Sequence, residues 1–525
     1  MTASLASAFA ELRADYEFVR GSSLLRTRTG LAPGGAGADW HYRSEADYLR
    51  GIEIARDMDR NDLLIGQGVD RVVDQVLQSG VSPDPQTGDA ETDDLLLAAW
   101  NEWAGDPWAC HSEGRLTWRQ LERLVFRAAF LVDGDHFLLP TDTGALWSVE
   151  AHRVRTPSGT RRRVIHGIKL NGQDQPEELW VTKQDLEPSR PLRRVQEIQA
   201  FPWVDPAGRP LVWQIVDPKR TSQRRGVTRF APMARAGSYL DDTLFATLVK
   251  QQVASCIAFL RERQPDVLPG PPGTLGETEL RELSAGTTRL LEHVFPGMEV
   301  VGKPGEKLHG FTPNIATSDS MAFSLLILSI LAVNLGIPVA VLLLDPSNTN
   351  FSGWRGAIDQ ARVSFKRLVQ DYIQQLHVRA WKFRVTVLLQ EPSERGDQVR
   401  SAAARIGPAI FRHRWNAQSY GYIEPLKDAA ADALRLDKLL TSPRRVWAEK
   451  GADWFTGVDE IVEDHSYAIE QAVLARRRLI DRYQGHPDAQ VFERLHWREF
   501  LRLTGTDPLA RDLLAADETQ EGAPA

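Results

Sequence analysis

The chain has 525 residues and a formal net charge of −7, with 42 % hydrophobic and 25 % charged residues. That is an ordinary globular composition, long enough for roughly three or four domain-sized units, and it excludes global disorder. The mild acidity argues against a protein that wraps tightly around nucleic acid, which carries a positive excess. The two cysteines, Cys110 and Cys256, form no CxxC pair, so neither a zinc cluster nor a disulfide scaffold is expected, and a reducing compartment fits.

The N-terminal MTASLASAFAELRADYEF carries no basic region followed by an apolar run, so no secretory signal is expected. After the Gly-rich GLAPGGAGADW, helical spacing holds from Glu45 to Leu77, through Tyr48, Ile52 and Ala55 and then Val69, Val72, Val73 and Val76, until SGVSPDP stops it. An amphipathic run from Trp118 to Val132 leads into GDHFLLP, and LWSVEAHRV and RVIHGIKL alternate as strands do. WVDPAGRPLVWQIV reads as strand, DPAG turn and second strand, which makes the middle of the chain largely β. Helical periodicity returns from Ser238 to Arg263, ending at Gln264-Pro265, and QPDVLPGPPGTLGE is a connection that no helix or central strand tolerates. Trp354 to Leu376 carries Trp354, Ile358, Ala361, Phe365, Leu368, Tyr372 and Leu376 on one stripe, a helix of ~35 Å. The tail from Thr506 is acidic and rich in small residues, and DETQEGAPA is expected to be disordered.

One stretch poses a membrane question. Ser320 to Leu344 carries no charge, which suffices for one bilayer-crossing helix. Against that, Asn334 lies inside it, Gly336 and Pro338 interrupt its backbone bonding, and its flanks are Asp319 and Asp345 in place of Lys, Arg, Trp or Tyr. The favoured reading is a buried helix from about Asp319 to Leu335 that stops at Gly336, followed by VAVLLL as a short strand or loop.

No catalytic constellation emerges. GMEVVGKP, Gly297 to Pro304, has P-loop spacing around Lys303, but Pro304 stands where a magnesium-binding hydroxyl is required, and the surroundings favour a strand and turn. GQGVDR fails the dinucleotide fingerprint, and neither HExxH nor GxSxG occurs. DGDH (Asp133 to His136) and EDH (Glu463 to His465) read better as solvated turns or helix faces than as metal ligands, so no metal or cofactor is expected. DPKRTSQRRGVTRF, Asp217 to Phe230, is the strongest basic run and offers DNA contact, a solvated loop or a salt-bridged subunit contact, through Lys219, Arg220, Arg224 and Arg225. Among the fifteen tryptophans, Trp100, Trp103, Trp108, Trp118, Trp203 and Trp213 are large apolar anchors, most of them for the core.

The order of these segments resembles the lambda-type portal proteins of tailed bacteriophages, from about Asp15 to Gln471. The resemblance rests on ARDMDRNDLLIGQGVDRVVDQVLQSGVSPDP, WNEWAG, GDHF, HGIKL, DPAGRPLVW, DPKRTSQRRGVTRFAPM, PGMEVVGKPGEKLHGFTPN, DPSNTNFSGWRGAIDQARVSFKRL, IEPLKDA and TSPRRVWAEKGADW, all in the family's order. Gly353 departs from it, standing where the family often has Ser.

The resemblance implies an α+β portal fold with wing, stem, clip and crown, in a ring, typically of twelve copies, around an axial channel. Laid on that order, 1–237 is an N-terminal wing with a β-rich part, 238–263 a stem helix, 264–313 the clip and 314–337 a second stem helix. Then 338–353 is the tunnel loop, 354–385 a long wing helix, 386–505 C-terminal wing and crown, and 506–525 a disordered tail. Ser347, Asn348, Thr349, Asn350 and Ser352 are the tunnel-loop candidates facing DNA; Asn350 or Ser352 equally well caps the helix that follows. Phe323, Leu326, Ile327, Ile330 and Leu331 are expected to pack against neighbouring subunits. Twelve copies at −7 each would discourage DNA from sticking in transit.

The implied partners are the chain itself, double-stranded DNA, the terminase large subunit, the major capsid protein and head-tail connector proteins, without a membrane. The implied place is the portal vertex of the virion, after assembly in the host cytoplasm, and the role is non-enzymatic. The alternative is a packaging ATPase or nuclease.

Overall fold

The computed structural model describes residues 45–157, 160, 163–188, 190, 192, 194–261, 279–283, 287–291, 298–301, 318–345, 347, 350–417, 420, 425–449 and 454–485. The chain divides into two units, Met1–Trp415 and Asn416–Ala525. It mixes helices with small sheets, as an α+β chain does.

The first unit opens with α1 (Glu45–Asn61) and α2 (Ile65–Leu77), whose Val69, Val72, Val73 and Val76 are all buried. β1 (Ser82–Pro85) precedes α3 (Ala90–Gly105) and α4 (Trp118–Arg127). Thr117 and Gln120 form a capping box that fixes the start of α4, and a π turn, Ala128–Val132, continues it. β2 (Asp135–Pro140), β3 (Leu146–Glu150), β4 (Val164–Ile165), β5 (Ile168–Leu170), β6 (Pro176–Thr182), β7 (Ile198–Pro202) and β8 (Trp213–Val216) then make two antiparallel sheets, ordered β3-β2-β8 and β4-β5-β6-β7.

Phe137, Leu139 and Val149 from the first sheet join Ile168, Leu170, Leu179 and Val181 from the second in one buried cluster, so the two sheets share a core. RVIHGIKL is a hairpin and not a single strand, because His166 and Gly167 both take positive φ. The DPAG turn is present, with the Asp205 carboxylate accepting from the Ala207 and Arg209 amides, yet its flanking strands part: β7 pairs with β6, and β8 pairs with β2.

α5 (Ala234–Cys256) is shorter than its periodicity suggests. Residues from Ile257 switch to β9 (Ile257–Arg261), which pairs in parallel with a distant strand. β10 (Glu279–Leu283) and β11 (Thr287–Leu291) form an antiparallel pair, and β12 (Met298–Val301) is the partner of β9. α6 (Ser318–Leu335) ends at Gly336, φ +80°, whose N–H bonds the Ala332 carbonyl at 2.9 Å. VAVLL is not a strand or loop but a short helix, α7 (Val339–Leu343), closed by Leu344 in the left-handed region.

α8 (Phe351–Tyr372), a π turn (Ile373–His377) and α9 (Val378–Gln390) follow without a break. The stripe Ile358, Ala361, Phe365, Leu368, Tyr372 and Leu376 is buried. α10 (Glu394–Ile406) starts on a Ser393 cap and leads to β13 (His413–Asn416), which pairs with β1.

An aromatic core binds these helices together. Trp100 packs its ring 5.0 to 5.7 Å from Trp103, Trp118, Trp381 and Trp415, each centroid to centroid. Trp213 is buried elsewhere, Trp203 is half-buried, and Trp108 is 75 % exposed, an exception to the expectation of core tryptophans.

The second unit holds α11 (Pro425–Asp437), α12 (Pro443–Glu449) and the 29-residue α13 (Trp454–Arg482). α12 packs on α13 through the Trp447 and Trp454 rings, 5.8 Å apart and nearly perpendicular.

Candidate functional site

α6 is apolar on every side, so its surroundings decide which face is internal. Ile327, Leu331, Ala332 and Leu335 are buried within the chain, Leu331 to 1 %. The approach to α2 is close because Gly68 has no side chain: a Cβ there would lie 2.5 Å from Leu335 and 2.9 Å from Leu342. The end of α6 is tied down by Arg229, whose Nε donates to the Asn334 carbonyl at 2.9 Å. The Asn334 side chain donates to the Ile330 carbonyl one turn back, also at 2.9 Å, which satisfies the amide without a partner from another helix.

The opposite face is uncovered. Phe323, Leu326, Ile330 and Val333 are 55, 56, 47 and 77 % exposed and follow one another at helical spacing. α5 adds exposed Phe245 and Leu248, and Tyr239, Thr243 and Ala246 line one side of an apolar groove of about 690 Å³ whose other side is Phe323, Leu326 and Ile330. Of the five residues expected to pack between subunits, Phe323, Leu326 and Ile330 are therefore available. Ile327 is mostly covered, and Leu331 belongs to the chain's own core, which corrects that expectation.

In the candidate loop, Asn350 caps α8: its side-chain oxygen accepts from the Gly353 N–H at 2.7 Å. Ser347, whose N–H bonds the Asp345 carboxylate, and Ser352 are exposed, whereas Asn348 and Thr349 lie outside the described residues.

The basic run splits by burial. Lys219 and Arg220 are exposed, with Lys219 paired to Asp217, and Arg224 is half-buried. Arg225 is not a surface cation at all, which corrects the expectation of DNA or subunit contact there. Its Nε donates to Asp135 at 2.7 Å and its Nη2 to the same carboxylate at 3.1 Å. Asp135 also accepts from the Gly226 amide at 3.0 Å and the Gln214 side chain at 3.2 Å.

The same motif corrects a second expectation. DGDH is a buried ionic segment and not a solvated turn: Asp133 binds Arg56 through two bonds of 2.8 and 2.6 Å, and the His136 ring bonds the Ser148 hydroxyl at 2.8 Å. Burial pushes His136 down to about 4, outweighing the nearby Glu150 and Asp135 carboxylates. EDH lies on an exposed face of α13, as expected.

Sequence reading missed one buried pair altogether. Glu122 on α4 meets His377 at 2.6 Å, and the Tyr372 hydroxyl donates to the Glu122 carbonyl at 2.6 Å. Burial alone would raise the Glu122 carboxyl, but His377 and then Arg119 overcome it and hold the carboxyl below its ordinary range. The signal was a single Glu on the inner face of an amphipathic helix, and its partner lies 255 positions away.

Among the described residues, no group of three His, Cys, Asp or Glu side chains is arranged to hold a metal ion, and no helix is long and apolar enough to cross a membrane. Gly297 and Lys303 of the P-loop-like segment lie outside the described residues, and Met298–Val301 between them is a strand.

The described residues thus make an α+β scaffold in which α6 presents an uncovered apolar face. The family described as phage portal protein, lambda family, matches residues 26–368, well over half of the chain. The chain belongs to the lambda family of phage portal proteins. No curated protein sequence matches it.

Proposed function

We propose that copies of this chain assemble into a ring at one capsid vertex, twelve if the family's usual number holds, and that double-stranded DNA enters and leaves the particle through its channel. The observation that carries this reading is the exposed stripe Phe323, Leu326, Ile330 and Val333 in a chain of this family. Covering such large apolar side chains contributes about 1.5–3 kcal/mol each, and adjacent copies are the natural cover.

On this reading α5 and α6 are the two stem helices, residues 264–313 the clip and 338–353 the tunnel loop, with α7 inside it. Residues 354–385 form the long wing helix and 386–505 the C-terminal wing and crown, while the tail 506–525 lies outside the described residues. Ser347, Asn348, Thr349, Asn350 and Ser352 offer uncharged, exchangeable contacts to DNA, which suit sliding in both directions. Lys219, Arg220 and Arg224 remain candidates for DNA or subunit contact.

The terminase large subunit, major capsid protein and head-tail connector proteins are the proposed partners, and ATP hydrolysis falls to the terminase. The ring is proposed to assemble in the host cytoplasm and to reside in the virion.

Electron microscopy of the purified chain tests this, with rings bearing a central hole as the expected image. Turnover of ATP by the purified chain, abolished in Lys303→Ala, would instead make it a packaging enzyme.

A further inference from the structure

The second unit leaves most of its apolar surface bare. Among its described residues Val446 and Ala472 are the buried hydrophobic side chains, while Phe455, Ile461, Val462, Ile469 and Leu474 of α13 are exposed. A helix so poorly covered within its own unit needs a neighbour.

The charges on α13 say which neighbour. Asp459, Glu460, Glu463 and Asp464 are exposed in its first half, and Arg477, Arg478 and Arg482 are exposed in its last turns. At 100° per residue, the four acids and three arginines fall within one arc of roughly 140°, which also holds exposed Glu470 and Asp481, so one side of the helix is acidic over its first part and carries a net positive charge in its last turns. None of these seven makes an ion pair among the described residues.

Within the helix they also oppose one another. Asp459 and Glu463, and Glu460 and Asp464, are like-charge pairs at i,i+4, which destabilise an isolated helix, whereas at the other end the Arg478 and Arg482 pair is offset by Arg477 and Asp481. The helix dipole accommodates arginines in the last turn, but its influence fades before the acids of the second and third turns.

We infer that α13 is a docking surface for a second copy of this chain, the acidic half of one helix meeting the basic end of the next. This rests on the ring reading and deepens it. A cyclic assembly repeats one heterologous contact from copy to copy, and a surface with unlike ends satisfies that requirement. The exposed Ile461, Val462 and Ile469 flank the charged arc and are covered in the same contact.

Disulfide trapping tests it in the full chain. Glu463→Cys and Arg478→Cys are introduced together, with the parent chain and each single variant as controls. The two positions are ~22 Å apart along one helix, far beyond the Cα separation that a disulfide spans, so any bond between them joins two copies. Under oxidising conditions the expected result is a ladder of linked species rising one chain at a time.

Rings that form without any linked species overturn the inference and leave the ring reading standing. Linkage that stops at dimers overturns it in favour of an antiparallel pair. Chains that form no rings at all overturn both. As a second measurement, Glu463→Arg should lower the salt concentration at which rings dissociate, and adding Arg478→Glu to the same chain should restore it. Equal salt midpoints for all three chains would also overturn the inference.

Discussion

The guanidinium of Arg225 grips the carboxylate of Asp135 across 90 positions of sequence, with both side chains fully buried. All five of its N–H donors are used. Two go to Asp135, two to the carbonyls of Val154 and His166 at 3.0 and 2.7 Å, and one to that of Ala151 at 2.8 Å. The rings of Tyr48 and Phe137 lie against it at 4.7 and 5.2 Å. This contact joins the GDHF and RRGV segments and α1 into one piece.

Breaking that pair leaves a charge buried alone. Asp135→Ala should therefore cost about 3–5 kcal/mol of folding stability. Arg225→Lys should also destabilise the fold, because an ammonium cannot replace a planar fork of five donors. Lys219→Ala and Arg220→Ala, at the exposed end of the same run, should stay within about 0.5 kcal/mol. Denaturant titration of the four variants checks the ranking.

Acid should destabilise the protein through two buried groups. The folded chain holds His136 neutral down to about 4, while the unfolded chain takes up that proton at the ordinary histidine value of 6.5, so stability falls as pH drops through this window. The shift corresponds to about 3 kcal/mol in total. Glu122 acts in the same direction at lower pH: its carboxyl is depressed in the fold, so its contribution is complete above the ordinary carboxylate value and is lost as pH falls through the folded one. Thermal midpoints between pH 7 and pH 4 should decline in the parent chain and decline less steeply in His136→Gln.

The two faces of α6 should separate folding from assembly. Leu331→Ala empties a core position and should cost about 2–5 kcal/mol. Phe323→Ser combined with Ile330→Ser changes exposed positions, so the unfolding midpoint of the monomer should hold while self-association falls. Circular dichroism melts and sedimentation of the same samples distinguish the two effects.

Gly68 is the point where α2 admits α6 and α7. Gly68→Val drives a side chain into Leu335 and Leu342 and should cost about 1–3 kcal/mol. Gly88→Ala supplies a contrast, since its Cβ would meet open space while its φ of +91° carries a backbone penalty alone. Chemical denaturation measures both.

These contacts explain why the sequence was legible in parts. The stripe from Ile358 to Leu376 is periodic and falls on one buried face, so the long helix could be read locally. The inner and outer faces of α6 could not, because a segment apolar all round has no preferred side until Gly68 and Arg229 supply one. Val339 to Leu343 looks like a strand by its β-branched residues, yet Leu342 packing toward Gly68 holds it as a helix. α5 stops at Cys256 because Ile257–Arg261 finds a parallel partner in Met298–Val301, a pairing that no local pattern announces. Burial of Arg225 was equally hidden: beside Arg224 it reads as part of a basic loop, and only the distant Asp135 separates the two. The helix cap was legible only as Asn350 or Ser352, since either polar residue before an amphipathic run is a local signal, and the bond to the Gly353 N–H selects Asn350. The family match agrees with the collinear motifs over the region where they are densest.

The most direct test of the proposed ring is native mass spectrometry of the purified full chain at assembly concentrations. A closed ring requires a discrete species whose mass is a whole multiple of 58.8 kDa, twelvefold on the proposed reading, and the Phe323→Ser, Ile330→Ser chain should shift it toward monomer. A single species at 58.8 kDa, unchanged by concentration and by those substitutions, would contradict it.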